Sequence, residues 1–466
     1  MNRVQQLQCL LICLLILSGL ISPALAFSPY SSRELEQLEK EFIQQINQAG
    51  NVIRDPLASQ YINHLAELLA RNGQLPTPYF FIVNSREINA FAGPGGYIGV
   101  NSQLILTTTT ESELAAVMAH EMAHVRLNHL YRLIEHEKQM RIPMLASVLA
   151  SIALGIINPT LGSGALMASL TGFAQDNINF VRSNEKEADR IGIAMLIKSG
   201  LDPRGMAHFF KKMQDNARYY YTANIPAILR THPLDDDRIA EAENRSASLV
   251  KTAHTDSLDY RLFKELIRTL STEDDKQLLD FYHHGCLKNN SALACQYGQV
   301  LTELSLNQYQ AANATLSPLL AQDPDNLFFV IAKAETDLGL KHFDAATTRL
   351  NHLEKNYPDN YAAILSYADS LIAANHPNEA VAQLLKGTRQ FKNDLPLCLQ
   401  LARAQSENHQ KGAAYFTKAQ CELLQGRKKE ALRLLSFAQK IVKNDRLLQA
   451  RISAKMEEIT YLMDDS

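Results

Sequence analysis

Two histidines and a glutamate stand in the sequence at a spacing typical of a metal site. His120 and His124 are four residues apart, and Glu121 lies between them. On a helix, residues at positions i and i+4 share one face, so both imidazoles can reach one metal ion while Glu121 projects beside them. A glutamate in that position can take a proton from water that the metal activates. The pattern predicts peptide-bond hydrolysis with one Zn²⁺ per chain.

The residues before this motif support a buried position. Residues 115–119 are uncharged, whereas a solvated helix usually carries charged side chains on one face. In the alternative interpretation, each histidine is a core residue bonded to a backbone carbonyl. That interpretation needs two separate coincidences, so the metal site is the better prediction.

A catalytic zinc ion takes three protein ligands and leaves a fourth position for water. The segment 182–189 offers the third ligand, because it reads as the start of a helix on which Glu185 and Asp189 share a face. Glu185 could bind the metal while Asp189 accepts the free ring N–H of a ligating histidine, and Glu187 points elsewhere. The same acidic residues also fit an ordinary helix N-terminus, which the sequence leaves open.

Helices must hold these residues in place. Apolar residues three and four positions apart predict amphipathic helices over 31–50 and 56–71. The metal motif lies on a further predicted helix from Glu111 to Arg132, with Thr110 or Ser112 as its candidate N-cap.

A small sheet is predicted between the second and third of these helices. Tyr79–Val83 and Tyr97–Val100 read as strands, and Asn89–Ala92 leads into the second through a Gly/Pro turn at 93–96.

A long uncharged stretch runs over residues 142–174. Its Gly/Pro-containing middle, 158–164, divides it into arms that are each shorter than the ~20 residues of a membrane span. We expect a helical hairpin that packs in the fold, covers the cleft or makes peripheral membrane contact, with true insertion as the alternative.

The N-terminus reads as a secretory signal peptide over 1–26, cleaved after Ala26, and an uncleaved anchor is the alternative. Four cysteines follow it in the chain, and an oxidising compartment permits two bridges among them in three pairings. Cys286 and Cys295 are close enough for a local bridge, but free buried thiols fit equally well. The other two are Cys398 and Cys421.

Composition bounds the class of protein. The chain has 466 residues, 46% hydrophobic and 20% charged, which excludes a largely disordered protein. Its 46 Lys and Arg against 49 Asp and Glu give a formal charge of −3. Because no basic run is present, we expect no nucleic-acid partner.

From about Leu258 the sequence is helical throughout, and comparing this half with itself gives a register of 34 residues. Equivalent positions hold similar residues in three successive units: Tyr309, Phe343 and Pro377; Ala312, Ala346 and Ala380; Leu316, Leu350 and Leu384. Residues 296–394 thus resemble tetratricopeptide repeats, which implies an α-helical solenoid. A further pair over 413–443 repeats the pattern 51 residues beyond Ala380, so one unit is irregular. A plain helical bundle is the alternative.

Together these motifs resemble the M48 zinc metallopeptidases. The resemblance rests on His120 to His124, on Glu185-x-x-x-Asp189 beginning 61 residues after His124, and on the segment 87–96 upstream. It implies a mainly α, zincin-like metallopeptidase domain with a small edge β-sheet. It also implies that His120, His124 and Glu185 bind zinc, that Glu121 is the base, and that Asp189 supports a ligand.

The resemblance extends to two further features. His232, before Pro233, matches a histidine near the metal that is implicated in holding the enzyme inactive, or it could stabilise the oxyanion. From the residues alone, His232 fits a turn or surface position equally well. The substrate-binding edge strand would comprise Glu87, Asn89, Ala90, Phe91 and Ala92.

The order of segments completes the expectation: signal peptide 1–26, peptidase domain 27–257 and tetratricopeptide-repeat domain 258–466. The resemblance implies a periplasmic zinc endopeptidase that degrades misassembled outer-membrane β-barrel proteins and assists their assembly. Its partners would be unfolded or stalled outer-membrane proteins and the assembly machinery that inserts them, docked by the repeats. The alternatives are a chaperone or adaptor with a dormant metal site, and a membrane-bound quality-control peptidase.

Overall fold

The computed structural model describes residues 32–73, 77–136, 175–219, 226–247, 255–286 and 292–464. The predicted signal peptide and the uncharged stretch 142–174 lie outside these ranges. No helix within them combines the length and the apolar composition needed to cross a bilayer.

The N-terminal half contains four strands and nine helices among its described residues. The strands are β1 Val52–Ile53, β2 Tyr79–Val83, β3 Ala90–Ala92 and β4 Tyr97–Asn101. The helices are α1 Ser32–Gln48, α2 Pro56–Gly73, α3 Ser102–Thr107, α4 Glu111–Arg126, α5 His129–His136, α6 Gln175–Lys198, α7 Arg204–Tyr219, α8 Ala227–Thr231 and α9 Asp236–Ala247.

The predicted elements are confirmed here, with two corrections. Thr110 caps α4 by accepting a hydrogen bond from the backbone N–H of Glu113. The helix predicted to reach Arg132 ends at Arg126, because Asn128 adopts a left-handed conformation with φ of 53° that breaks the helix. The helix that carries Glu185 begins at Gln175, earlier than expected, so its acidic residues do not form a helix N-terminus.

The strands form one small sheet in the order β1-β2-β4-β3. Strands β2 and β4 are parallel, whereas β3 pairs antiparallel with β4, with Ala90 opposite Val100. Strand β3 is thus an edge strand, and it packs beside α4.

The C-terminal half is built of helices alone within its described residues. They are α10 Leu258–Ser271, α11 Asp275–His284, α12 Ala292–Ser305, α13 Tyr309–Gln322, α14 Leu327–Gly339, α15 Phe343–Asn356, α16 Tyr361–Ala373, α17 Pro377–Gln390, α18 Leu395–Glu407, α19 Lys411–Leu424, α20 Lys428–Ile441 and α21 Arg446–Asp464. One apolar core joins the two halves. In it, the Tyr61 ring of α2 stacks on Phe263 of α10 at 4.3 Å.

The 34-residue register is confirmed as a helical repeat. Helices α13, α15 and α17 start 34 residues apart, and Ala312, Ala346 and Ala380 are fully buried. The irregular unit has a simple cause. One additional helix, α19, stands between two turns of the same left-handed type, at His409 and Gly426. It shifts the pattern by the 17 residues from Lys411 to Lys428.

The four cysteines form two disulfides, Cys286–Cys295 and Cys398–Cys421. The local bridge is therefore confirmed, and the alternative of free buried thiols is wrong. The second bridge joins α18 to α19, the additional helix.

Candidate metal centre

Helix α4 places His120, Glu121 and His124 in the interior. Every residue from Ser112 to Ala123 is buried, and the many alanines allow α6 to approach closely. Gly192 of α6 marks the contact, because a Cβ there would lie 3.3 Å from the backbone nitrogen of His120. Two helices that approach this closely bring their ligating side chains within reach of one ion.

Helix α6 supplies the carboxylate that α4 lacks. Glu185 is 3% exposed, and its two oxygens lie 3.3 Å from Nε2 of His120 and 3.4 Å from Nε2 of His124. The two Nε2 atoms are themselves 3.0 Å apart. A tetrahedral zinc ion with bonds of about 2.0–2.1 Å holds its ligand atoms about 3.3–3.4 Å apart, so these separations fit such an ion.

A fourth donor comes from His232, which follows the short helix α8. Its Nδ1 lies 3.3 Å from Nε2 of His120 and 3.1 Å from Oε1 of Glu185. Ligand atoms of His120, His124, Glu185 and His232 all lie within 4.8 Å of one another, so this group could hold a metal ion. A surface or turn role for His232 alone is therefore not what the structure places here.

Glu121 lies beside this group without joining it. It is 1% exposed, and its Oε1 has no hydrogen-bond partner among the described residues, although Nε2 of His232 lies 3.4 Å away. A buried carboxylate oxygen without a donor is costly unless it serves a purpose. Two imidazoles, a carboxylate and an adjacent unpartnered carboxylate form a donor set that suits a hydrolytic zinc ion.

Asp189 orients the first histidine from behind. Its Oδ1 accepts a hydrogen bond from Nδ1 of His120 at 2.9 Å, which leaves Nε2 of that ring turned to the ligand group. Arg238 holds Asp189 in turn, donating from Nε to Oδ2 at 2.7 Å and from Nη2 to Oδ1 at 2.8 Å. The sequence offers no signal for Arg238, because only the packing of α9 on α6 brings it there.

The charges at the site follow from these contacts. Burial lowers the pKa of His120, but its bonds to Asp189 and Glu185 outweigh burial and raise that pKa to about 10. Burial raises the pKa of Glu185, but His232, His124 and His120 hold it well below its usual range. Burial keeps the pKa of His124 well below its usual value. Glu185 is thus an anion and His124 a neutral ring, the forms in which these side chains bind metals.

Comparison with known proteins bears on this site. The profile of Peptidase family M48 matches residues 56–246, a range that contains every residue of the ligand group. The "Beta-barrel assembly-enhancing protease" of Escherichia coli (strain K12) is 35% identical over 436 residues, covering 92% of this chain and 88% of that protein. The chain belongs to peptidase family M48. It is therefore a metalloprotease.

Other relatives agree with this assignment. The protein of the same name from Yersinia pestis is 34% identical over 427 residues, which cover 90% of this chain and 87% of that protein. "Metalloprotease LoiP" of Escherichia coli (strain K12) is 29% identical over 208 residues, 42% of this chain and 77% of that protein. The first relative extends through the helical repeats, whereas LoiP matches a shorter stretch.

The M48 domain also holds the residues expected of an edge strand. Ala90, Phe91 and Ala92 form β3, whereas Asn89 and Glu87 precede it, and Glu87 pairs with Arg230 at 3.5 Å. The backbone N–H of Ile228 donates to the carbonyl of Ile88 at 3.1 Å. This bond ties α8, and hence His232, to the segment that leads into the edge strand.

Proposed function

We propose that this M48 metalloprotease is a zinc endopeptidase in which His120, His124 and Glu185 bind the metal ion and Glu121 is the general base. The convergence of three ligand atoms at separations of 3.0 to 3.4 Å carries the proposal. Nitrogen and carboxylate donors in a tetrahedral arrangement are typical of catalytic zinc.

The residues divide the work of hydrolysis. When bound, zinc polarises the scissile carbonyl and lowers the pKa of water to about 7. Glu121, buried and with a free oxygen, takes the proton of the attacking water and delivers it to the leaving amine. Asp189 and Arg238 keep the ring of His120 in place.

The substrate would bind as an additional strand on β3. Main-chain hydrogen bonds along Asn89 to Ala92 give affinity without demanding a particular sequence. Such a protease prefers unfolded or unpaired segments, and Glu87 would help to fix the end of this edge through Arg230.

In this conformation His232 stands where the fourth ligand of the metal belongs. Its Nδ1 is as close to His120 and Glu185 as those ligands are to each other. We therefore favour the inhibitory role for His232 over oxyanion stabilisation, and substrate binding would have to move this ring. A closed site of this kind also suits the alternative function, an assembly adaptor whose metal site is dormant.

The proposed place is the periplasm and the proposed substrates are misassembled outer-membrane β-barrel proteins, whose assembly the protein would also assist. The names of the relatives support the substrate class. The two disulfides support an oxidising compartment, in agreement with a signal peptide at 1–26.

The repeats would dock the substrate or the assembly machinery. A groove of about 830 Å³ opens between α1 and the last repeat helices. Glu39 of α1 lines this groove and packs against Gly95, in the turn that follows β3. The groove is thus continuous with the edge strand, which favours an extended segment of the outer-membrane protein as its occupant.

Glu121→Gln tests the proposal. It should abolish cleavage of casein and of an unfolded outer-membrane protein while zinc content stays unchanged, with Glu273→Gln at an exposed position as the control. If the Glu121→Gln variant supports outer-membrane assembly in cells as well as the wild type does, the adaptor function is the correct one.

A further inference from the structure

His129 is a buried histidine close to the ligand group that has no part in the scheme above. It is 4% exposed and is the first residue of α5. On an unbroken helix, five residues turn the chain by about 500°, which would direct His129 about 140° away from His124. The break at Asn128 instead redirects the chain, so that the two rings lie 4.8 Å apart.

The two rings are joined through their Nδ1 atoms, which are 2.9 Å apart. Nε2 of His124 faces His120 and Glu185, and a nitrogen that binds a metal carries no proton. The proton of His124 is therefore on Nδ1, which donates to Nδ1 of His129. This assignment leaves the remaining proton of a neutral His129 on its Nε2.

That Nε2 in turn faces an acceptor. It lies 3.4 Å from Oε2 of Glu187, and Nη1 of Arg132 lies 3.2 Å from the same oxygen. Glu187 is two residues from Glu185 on α6, so its side chain leaves the ligand group and reaches α5. The chain of contacts runs from Arg132 through Glu187 and His129 to His124.

We propose that His129, held by Glu187 and Arg132, is a positioning residue that fixes the ring of His124 for metal binding. It does for His124 what Asp189, held by Arg238, does for His120. Each helix that supplies a ligand then has its own supporting group behind it. Such supporting contacts typically change metal affinity by 10 to 100-fold when they are removed. The inference rests on the proposed metal ligands.

The test compares two substitutions of similar size. His129→Asn places an oxygen near the position of Nδ1 and keeps an acceptor for His124, whereas His129→Leu fills the buried volume without one. We measure Zn²⁺ affinity by competition with a chromogenic chelator, the absorption spectrum of the Co²⁺ form, and the Tm of the metal-free protein. His208→Leu, at an exposed histidine, is the control.

His129→Leu should weaken Zn²⁺ binding by about 10-fold or more and shift the Co²⁺ spectrum, while His129→Asn keeps most of the affinity. Should His129→Leu fail to fold, Glu187→Ala replaces it, because Glu187 is 44% exposed and should tolerate truncation. Wild-type affinity in the folded Leu or Ala variant would overturn the inference.

The failure of this inference differs from the failure of the proposed function. If the wild type binds Zn²⁺ and loses it on His124→Ala, but not on His129→Leu, only the positioning role is wrong. If His124→Ala leaves Zn²⁺ binding unchanged, the proposed ligands are wrong, and the role of His129 is wrong with them.

Discussion

Nε of Arg238 donates to Oδ2 of Asp189 over 2.7 Å, and both side chains are almost fully buried. Nη1 of the same guanidinium lies 3.1 Å from Oε2 of Glu185. One cation therefore balances two carboxylates that are needed to hold the metal and one of its ligands. Burying two carboxylates beside each other without a cation would be unfavourable.

Arg238→Met should destabilise the M48 domain by about 3–5 kcal/mol, since it leaves the charge of Asp189 buried without its partner. It should also lower zinc affinity, because Asp189 then no longer fixes the ring of His120. Urea unfolding and zinc competition measure the two effects. Arg245→Met, on the exposed side of α9, is the matched control. Unchanged stability in the Arg238 variant would contradict this account.

His232→Ala should raise the rate of casein hydrolysis, because it opens the fourth position to water. Zinc should remain bound, since three ligands are left. The measurement is the initial rate of cleavage by protein of known zinc content. A lower rate at full zinc occupancy would instead assign His232 to stabilisation of the oxyanion.

Gly192→Val should push α6 away from α4, because the new side chain meets the backbone of Ala119 and His120. Overpacking of this kind costs about 1–3 kcal/mol. We expect a lower Tm together with weaker zinc binding, whereas Gly50→Val, at a position with open space, should change neither. Full zinc affinity in the Gly192 variant would show that the close approach of the helices is not required.

A photo-crosslinking amino acid at Lys392, an exposed residue of the groove, should capture a stalled outer-membrane protein in cells. The same amino acid at Asp280, exposed on α11 and outside the groove lining, should not. Equal capture at both positions would remove the groove as the docking site.

The sequence predicts those parts of the site that helix periodicity controls. His120 and His124 share a face because they are four residues apart, and Glu185 and Asp189 do so for the same reason. The equivalent alanines of the repeats are predictable because each occupies the same buried crossing of two helices.

Residues that depend on packing between distant elements are not predictable in this way. Arg238 and His129 lie at no telling distance from the motif, and only the docking of α9 on α6 and the break at Asn128 bring them to it. For His232 the resemblance to the family supplied the expectation, since a histidine before a proline has no distinctive spacing. The additional helix α19 is invisible to the register, because the repeated columns follow only one helix of each pair.

Zinc content tests the central claim most directly. Purified wild-type protein should contain about one zinc ion per chain, and Glu185→Ala should lose most of it, because two imidazoles without the carboxylate bind the ion weakly. Glu273→Ala, at an exposed glutamate, should keep the wild-type content. Equal zinc in the wild type and Glu185→Ala, or no zinc in the folded wild type, would contradict the account.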